Sequence, residues 1–304
     1  MSNESTTGYT ILDQYRNITG KLKKRFLRKP NETEALEAFT NLSLQCESQD
    51  LPQYAALTWT ARARCEGTLG NTVNESSCLL RAARHFLRAA HENIEIGCIS
   101  IPTEYLQAGL ACYSHVSTRC SQDSSIPQGL NLEIVNYMQE IGQLEAVKAY
   151  LDNAVEQSQN QPDSQVYCLN LLAAHFITIG DYVSALQIYE KIKELLIDLP
   201  INGYRCELLL ESEVNSVFLL LILRPNPQNI LAKVLEKYTW GGQNDPIVLA
   251  CRMSDELFIL MQSIVTICQS LDPSSLNHIE SEFWPFLSIL QKDLLRTLVK
   301  IYCL

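Results

Sequence analysis

The sequence predicts an all-α protein built from stacked antiparallel helix pairs. Apolar residues recur at helical spacing along most of the chain, and no region indicates a β-sheet. Twelve glycines and eleven prolines among 304 residues leave room for long helices. The clearest pair lies in residues 169–192, where Gly180 and Asp181 separate two amphipathic segments. Gly favours the left-handed residue that ends a helix, and Asp favours the N-cap of the next helix.

Small and aromatic residues recur in this pair at a regular spacing. On its first helix, Leu172, Ala173 and Phe176 share one face. A frame of three residues at i, i+4 and i+7 occurs on its second helix and in two other stretches: Ala185, Tyr189 and Ile192; Val147, Leu151 and Ala154; Ala82, Phe86 and Ala89. One copy would suit any antiparallel pair, but three copies resemble tetratricopeptide hairpins at irregular spacing. The fold class is therefore a degenerate tetratricopeptide-like α-solenoid, whose pairs must stack to bury their apolar faces.

The remaining elements follow from apolar periodicity and from capping signals. A first helix is expected from Thr10, with Leu12, Tyr15, Leu22 and Phe26 near one face. Asn31 and Glu34 predict a capping box at the next helix. Further helices are expected at residues 55–68, 75–90, 103–117, 132–141, 206–223 and 229–238. C-terminal to Ser254, helices are expected over most of the remaining chain. A loop is expected at residues 121–129. Residues 1–8 are expected to be disordered and residues 9–304 to form a single domain, with a short break at 200–204.

The charge distribution is asymmetric. Residues 1–91 carry 12 basic and 9 acidic side chains, whereas residues 92–304 carry 12 basic and 25 acidic ones. Six cations fall within nine residues: Lys21, Lys23, Lys24, Arg25, Arg28 and Lys29. This basic run could be a solvated helix face, a nuclear import signal interrupted by Phe26 and Leu27, or a membrane contact. We favour docking against an acidic surface, either on this protein or on a partner.

Several functional classes are disfavoured by the sequence. It has no phosphate-binding Gly-rich loop, no nucleophile elbow and no His-Glu-x-x-His pair, and its five histidines are scattered, so we expect neither an enzyme nor a bound metal or cofactor. An isoelectric point near 5.1 argues against nucleic-acid binding. Eleven cysteines without Cys-x-x-Cys spacing indicate buried free thiols. With no signal peptide and no spanning segment, a cytoplasmic protein is expected.

Residues 20–31 resemble the N-terminal segment of the family of forty-kilodalton huntingtin-associated proteins. Further matches follow in the same order, among them Tyr54-Ala55-Ala56, Ala82-Ala83-Arg84, Asp181-Tyr182, Leu235-Glu236-Lys237-Tyr238 with Trp240, and Trp284-Pro285. Vertebrate members carry low-complexity stretches rich in Gly, Pro and Ala, in place of which this chain has only short polar segments. It therefore resembles a compact, invertebrate-type member.

The resemblance implies a non-catalytic partner of huntingtin, a large HEAT-repeat protein. Such a partner would form a 1:1 heterodimer, sit between the helical-repeat domains of huntingtin and stabilise them, and reach membranes only indirectly. The resemblance also implies recruitment to early endosomes through a small GTPase, and localisation in cytoplasm and nucleus. The alternative is a generic tetratricopeptide-type vesicle-trafficking adaptor that binds a peptide or a small GTPase. The basic run, Trp240 and Trp284 are the candidate partner-binding residues; core packing is the competing explanation for each tryptophan, as for Trp59.

Overall fold

A computed structural model describes most of the chain. The described backbone comprises residues 2–22, 31–97, 101–121, 124–224, 233–239, 242, 245–270 and 273–303. Within these ranges every regular element is an α-helix, which confirms the all-α prediction. The chain divides into two compact units, residues 1–143 and 144–304. The first helix begins at Ser2, and a single domain over residues 9–304 with disorder at residues 1–8 stays a prediction.

The first unit contains six helices in its described part. They are α1 (Ser2–Leu22), α2 (Glu32–Ser48), α3 (Pro52–Thr68), α4 (Thr72–Glu95), α5 (Ile101–Arg119) and α6 (Ile126–Glu140). The most extensive contacts join neighbours in the chain, α2 with α3, α3 with α4 and α4 with α5. Completely buried alanines, including Ala55, Ala56, Ala82 and Ala83, lie on α3 and α4. Because alanine has a small side chain, it allows helix backbones to approach closely.

Helix α1 packs against α2 and α3 through a face that includes Tyr15 and Leu22, as predicted, but that is centred on Ile11 and Ile18 and not on Leu12. Ile11 is buried, while Tyr15, Ile18 and Leu22 pack against the cluster formed by α2 and α3. These four residues follow the i, i+4, i+7, i+11 spacing of one helix face, whereas the predicted Leu12 is only partly buried. Phe26, which was expected to extend the stripe, lies outside the described residues.

The N-cap of α2 is confirmed, with a modified capping box. The Asn31 side-chain oxygen accepts the backbone N–H of Glu34 at 3.3 Å. The carboxylate of Glu34 accepts from the side-chain amide of Asn31 at 3.4 Å, where a standard capping box would use the backbone N–H.

The second unit contains nine helices in its described part. They are α7 (Leu144–Gln157), α8 (Pro162–Thr178), α9 (Tyr182–Ile197), α10 (Tyr204–Leu223), α11 (Lys233–Glu236), α12 (Pro246–Ala250), α13 (Asp255–Ser270), α14 (Pro273–Phe283) and α15 (Ile289–Cys303). Helices α7 to α10 pack in chain order, α13 to α15 do the same, and α15 returns to pack on α10. None of the described helices is both long and apolar enough to cross a membrane.

One predicted boundary was wrong and one short helix was missed, in both cases beside a proline start signal. Helix α6 begins at Ile126, six residues before the predicted start, and Pro127 lies in its first turn. The short helix α12 was not predicted: Pro246 follows Asp245, whose side chain accepts from the N–H groups of Ile247 and Val248. Proline suits a first helical turn because the N–H that it lacks has no partner there in any case.

The turn between α8 and α9 confirms the predicted hinge. Gly180 has φ of +81°, and the Asp181 side chain accepts from the N–H of Ser184 at 3.1 Å. The N–H of Asp181 also donates to the carbonyl of Phe176 at 2.9 Å, and that of Gly180 to the carbonyl of Ile177 at 3.1 Å. These two bonds form a Schellman motif, which satisfies the last carbonyls of α8.

Replacing Gly180 by alanine is expected to lower the free energy of unfolding of the second unit by about 1–2 kcal/mol, because a Cβ disfavours the left-handed conformation. Urea denaturation measures this change. Gly129→Ala is the matched control, since Gly129 lies in helix α6 with nothing within 4 Å of an added Cβ. That variant should be neutral or slightly stabilising. Equal destabilisation by both substitutions would contradict the role of the positive φ.

Candidate functional site

The structure describes two of the predicted partner-binding residues. Lys21, at the end of α1, forms an exposed ion pair with Glu34 of α2, with 3.1 Å between Nζ and Oε1. One cation of the basic run therefore contacts this chain's own surface. The remaining five, Lys23, Lys24, Arg25, Arg28 and Lys29, lie outside the described residues, as does Trp240. The other described residue is Trp284.

Trp59 is a core residue. Its side chain is only 1% exposed, and its indole N–H donates to Oε1 of Glu47 at 2.7 Å. The same carboxylate oxygen lies 2.9 Å from Nε2 of His85. The guanidinium groups of Arg62 and Arg81 lie 5.1 and 4.8 Å from the centre of the indole ring. Since the side chain is almost wholly buried between α-helices, the ring offers no surface to a partner.

Trp284 lies in the exposed turn between α14 and α15. The residue before it, Phe283, is fully buried and packs edge-on against Phe218 of α10, with 5.8 Å between ring centres. Leu287, at the other end of the turn, is also buried. Between these two anchors Trp284 is 38% exposed and Phe286 is 40% exposed. The core therefore holds both ends of a turn that presents two aromatic rings outward.

A capping box fixes where α15 begins after this turn. The backbone N–H of Ser288 donates to the side-chain oxygen of Gln291 at 3.0 Å, and the N–H of Gln291 donates to Oγ of Ser288 at 3.4 Å. These reciprocal bonds satisfy two donors at the helix start. Ile289, the first residue of α15, is 82% exposed. A third apolar side chain thus follows the two aromatic rings within a fixed backbone.

Two cations of α15 lie over the indole ring of Trp284. Lys292 Nζ is 4.9 Å and Arg296 Cζ is 4.8 Å from the ring centre. They are four residues apart and share one helix face. We call Trp284, Phe286, Ile289, Lys292 and Arg296 the aromatic corner. Arg296 also pairs with Asp293 at 3.4 Å, whereas Lys292 forms no ion pair with a described residue. The exposed apolar groups and the charge of Lys292 suit a partner surface that combines apolar and acidic side chains.

Only one member of the aromatic corner was predicted. Phe286 and Ile289 were overlooked because the helical pattern assigned no role to residues beside Pro285. Two local signals could have found them: the Trp-Pro-Phe turn, and the Ser-x-x-Gln capping pattern of Ser288 and Gln291. The two cations at i and i+4 on the following helix were a third signal.

The second unit also contains a buried ionic cluster around Glu213 of α10. Its carboxylate pairs with Lys193 of α9, at 3.3 Å, and with Lys237, and accepts from the Tyr238 hydroxyl at 3.0 Å. Burial alone would raise the pKa of Glu213, but the charges of the two lysines, with hydrogen bonds from Lys237 and Tyr238, hold that pKa below its ordinary value. Glu213 and Lys193 are both buried. The cluster therefore fastens residues 237–238 to α9 and α10 rather than facing a ligand.

The described cysteines are poorly suited to nucleophilic chemistry. Nine are free, and eight of those are buried. Burial raises the pKa of the Cys46, Cys65 and Cys251 thiols to about 11 and that of Cys268 to about 12. Because the thiolate is the nucleophilic form, these four remain unreactive near neutral pH. Across the described part of the chain, no three His, Cys, Asp or Glu side chains are grouped as metal ligands.

Comparison with known proteins gives matches over nearly the whole chain. It is 28% identical to the 40-kDa huntingtin-associated protein of Mus musculus, over 95% of this chain and 92% of the mouse protein. The rat protein of the same name is 27% identical over the same shares. The chain is a relative of these proteins. No protein-family model matches it.

The alignment with these 40-kDa huntingtin-associated proteins also bears on chain length. It spans 354 positions with the mouse protein, although this chain has only 304 residues. The mouse protein must therefore carry segments that this chain lacks. This difference agrees with the expectation of a compact relative, whereas the invertebrate type stays a prediction.

Proposed function

We propose that this protein is a non-catalytic binding partner of huntingtin that stabilises it by wedging between its helical-repeat domains. The observation that carries the proposal is the similarity over 95% of the chain to two proteins named for huntingtin association. A match over nearly the whole chain favours a shared interaction, whereas a match confined to one helix pair would indicate only a shared structural motif. We further propose a 1:1 heterodimer in the cytoplasm, with recruitment to early endosomes through a small GTPase.

The aromatic corner is the surface that we propose for this interaction. Tryptophan and arginine dominate binding energetics at protein interfaces, and here Trp284 and Arg296 are in contact. The buried Phe283 and the capping box hold the turn in place, so less conformational freedom is lost on binding. The basic run of residues 21–29 is proposed as a second, electrostatic contact, since its cations suit an acidic partner surface.

Affinity purification from cells tests the proposed function. A tagged copy of this chain should retain one very large helical-repeat protein at equal stoichiometry. A stable monomer that retains no such protein, but binds a small GTPase or a short peptide, would replace the proposal with the trafficking-adaptor alternative.

Trp284→Ala is expected to weaken association with huntingtin at least about tenfold, because it removes an exposed aromatic anchor. Its own unfolding midpoint should hardly change, since the ring is already partly in solvent. Val73→Ala is the matched control, as Val73 is 80% exposed at the start of α4. Binding to immobilised huntingtin measures both variants. Unchanged affinity of Trp284→Ala would remove the aromatic corner from the interface and leave the proposed partner to be judged by the purification.

A further inference from the structure

A pocket lies in the first unit, lined by side chains of α4, α5 and α6. It encloses about 370 Å³, at the lower end of the range of about 300–1,000 Å³ for ligand pockets. Its buried lining consists of Leu87, Tyr113 and Tyr137. Exposed and partly exposed side chains of α4 and α6 complete the lining. The pocket therefore has an apolar, aromatic base and a charged rim.

Three buried polar atoms of residues that line this pocket have no hydrogen-bond partner among the described residues: the hydroxyls of Tyr113 and Tyr137 and Nδ1 of His91. Tyr137 is only 8% exposed, and His91 lies on α4. A buried polar group without a partner loses its hydrogen bonds to water, so such groups are usually satisfied by a ligand or an ordered water. The pocket thus offers at least three hydrogen-bonding atoms to a bound group.

The two arginines at the rim are already engaged. Arg84 forms two hydrogen bonds with the Glu133 carboxylate, at 2.7 and 3.2 Å. Arg88 contacts Asp50 at 2.5 Å and Glu92 at 2.8 Å. Both guanidinium groups therefore have carboxylate partners within this chain, which disfavours an acidic ligand.

The charge left over at the rim is negative. Glu140 lines the pocket, is exposed, and makes no ion pair with a described residue. Glu95 adds another carboxylate, 3.4 Å from Nε2 of His91. The lining itself holds two arginines and two carboxylates, Glu133 and Glu140. Three further carboxylates pair with Arg88 and His91 just beyond the lining, namely Asp50, Glu92 and Glu95, so carboxylates outnumber arginines around the pocket. A pocket of this charge and with aromatic walls attracts a cation.

We propose that this pocket binds the guanidinium group of an arginine side chain presented by a partner polypeptide. The apolar stem of that arginine would pack on Leu87 and the tyrosine rings, as long basic side chains commonly do. Its N–H groups would donate to the Tyr137 hydroxyl and to Glu140, because guanidinium offers five donors and no acceptor. The inference rests on the proposed function only in that the arginine belongs to a protein partner.

Binding of acetyl-arginine methylamide to the full chain, followed by ligand-observed NMR, tests the pocket without huntingtin. Acetyl-citrulline methylamide, a neutral isostere, and acetyl-glutamate methylamide are the comparison probes. We expect saturable binding of the arginine probe, with about fivefold or greater weakening in Tyr137→Phe. Glu140→Gln should lose most of the preference for arginine over citrulline. Tyr189→Phe is the matched control, because it removes a buried hydroxyl in the second unit.

Three results would overturn this inference. They are an absence of saturable binding, which would indicate a pocket that holds only water; equal binding of the arginine and citrulline probes; and a preference for the glutamate probe. Circular dichroism of each variant establishes that it is folded. If the arginine probe does not bind but huntingtin association is intact, the pocket proposal is refuted and the proposed partner stands. If the arginine probe binds but huntingtin does not associate, the proposed partner is refuted and the pocket proposal stands.

Discussion

Replacing Glu213 by alanine is expected to lower the free energy of unfolding of the second unit by about 3–5 kcal/mol. The substitution removes the buried carboxylate shared by Lys193 and Lys237, and it removes the acceptor of the Tyr238 hydroxyl. Lys193 keeps Glu190 at 2.7 Å, whereas Lys237 keeps only Asp245, at 3.9 Å. Urea denaturation measures the overall loss. Hydrogen exchange localises it, and protection should fall in α9 and α10 while that of α3 and α4 is kept.

Two controls separate charge pairing from packing. The triple variant Glu213→Leu, Lys193→Met and Lys237→Met removes all three charges, and we expect it to recover most of the lost stability. Asp163→Asn breaks an exposed pair with Arg205 in the same unit and should have little effect. A triple variant no more stable than Glu213→Ala would mean that the cluster acts through shape rather than charge.

The same carboxylate gives a stability that depends on pH. The folded pKa of Glu213 lies below its ordinary value, so the stabilisation is fully present above the unfolded pKa of about 4.3. It is lost as the pH falls from there through the lower folded pKa. In the Glu213→Gln variant this contribution should be absent. Between pH 5 and pH 3 the stability of the variant should therefore fall less than that of the unchanged protein. Parallel pH profiles of the two proteins would contradict the lowered pKa.

Trp59→Ala is expected to destabilise the first unit by about 3–5 kcal/mol, because it empties a site that is almost wholly buried. It also removes the indole N–H from Glu47 and the ring from Arg62 and Arg81. Thermal and urea unfolding measure the loss, and hydrogen exchange should show it in α3 and α4.

Trp59→Phe separates ring packing from the hydrogen bond. This variant keeps an aromatic ring and lacks the N–H donor, so it should cost about 1 kcal/mol through the hydrogen bond and somewhat more through the smaller ring. Trp284→Ala offers the opposite comparison, with lost binding and preserved stability. If the Trp59→Ala variant is no less stable than the Trp284→Ala variant, Trp59 is not a core residue.

Local patterns in the sequence were sufficient for the helices and for several of their ends. The hinge at Gly180 and Asp181 was predictable because both residues act on their own turn, through a positive φ and an N-cap bond. The buried frame of Ala185, Tyr189 and Ile192 was predictable because helical period alone brings them to one face. The start of α6 near Pro127 was misplaced and the short helix α12 at Pro246 was not predicted, although these signals are equally local.

By itself, then, the sequence determined the all-α class, the helix pairs, the buried thiols and the relationship that suggests a partner. Only the tertiary structure decided that Trp59 is enclosed and Trp284 exposed, since the same side chain suits a core and an interface. It also brought Lys193 and Lys237 to Glu213, and Tyr113 and Tyr137 to one pocket. Helical period and capping act over a few residues, whereas these contacts join different helices, so they depend on how whole helices pack.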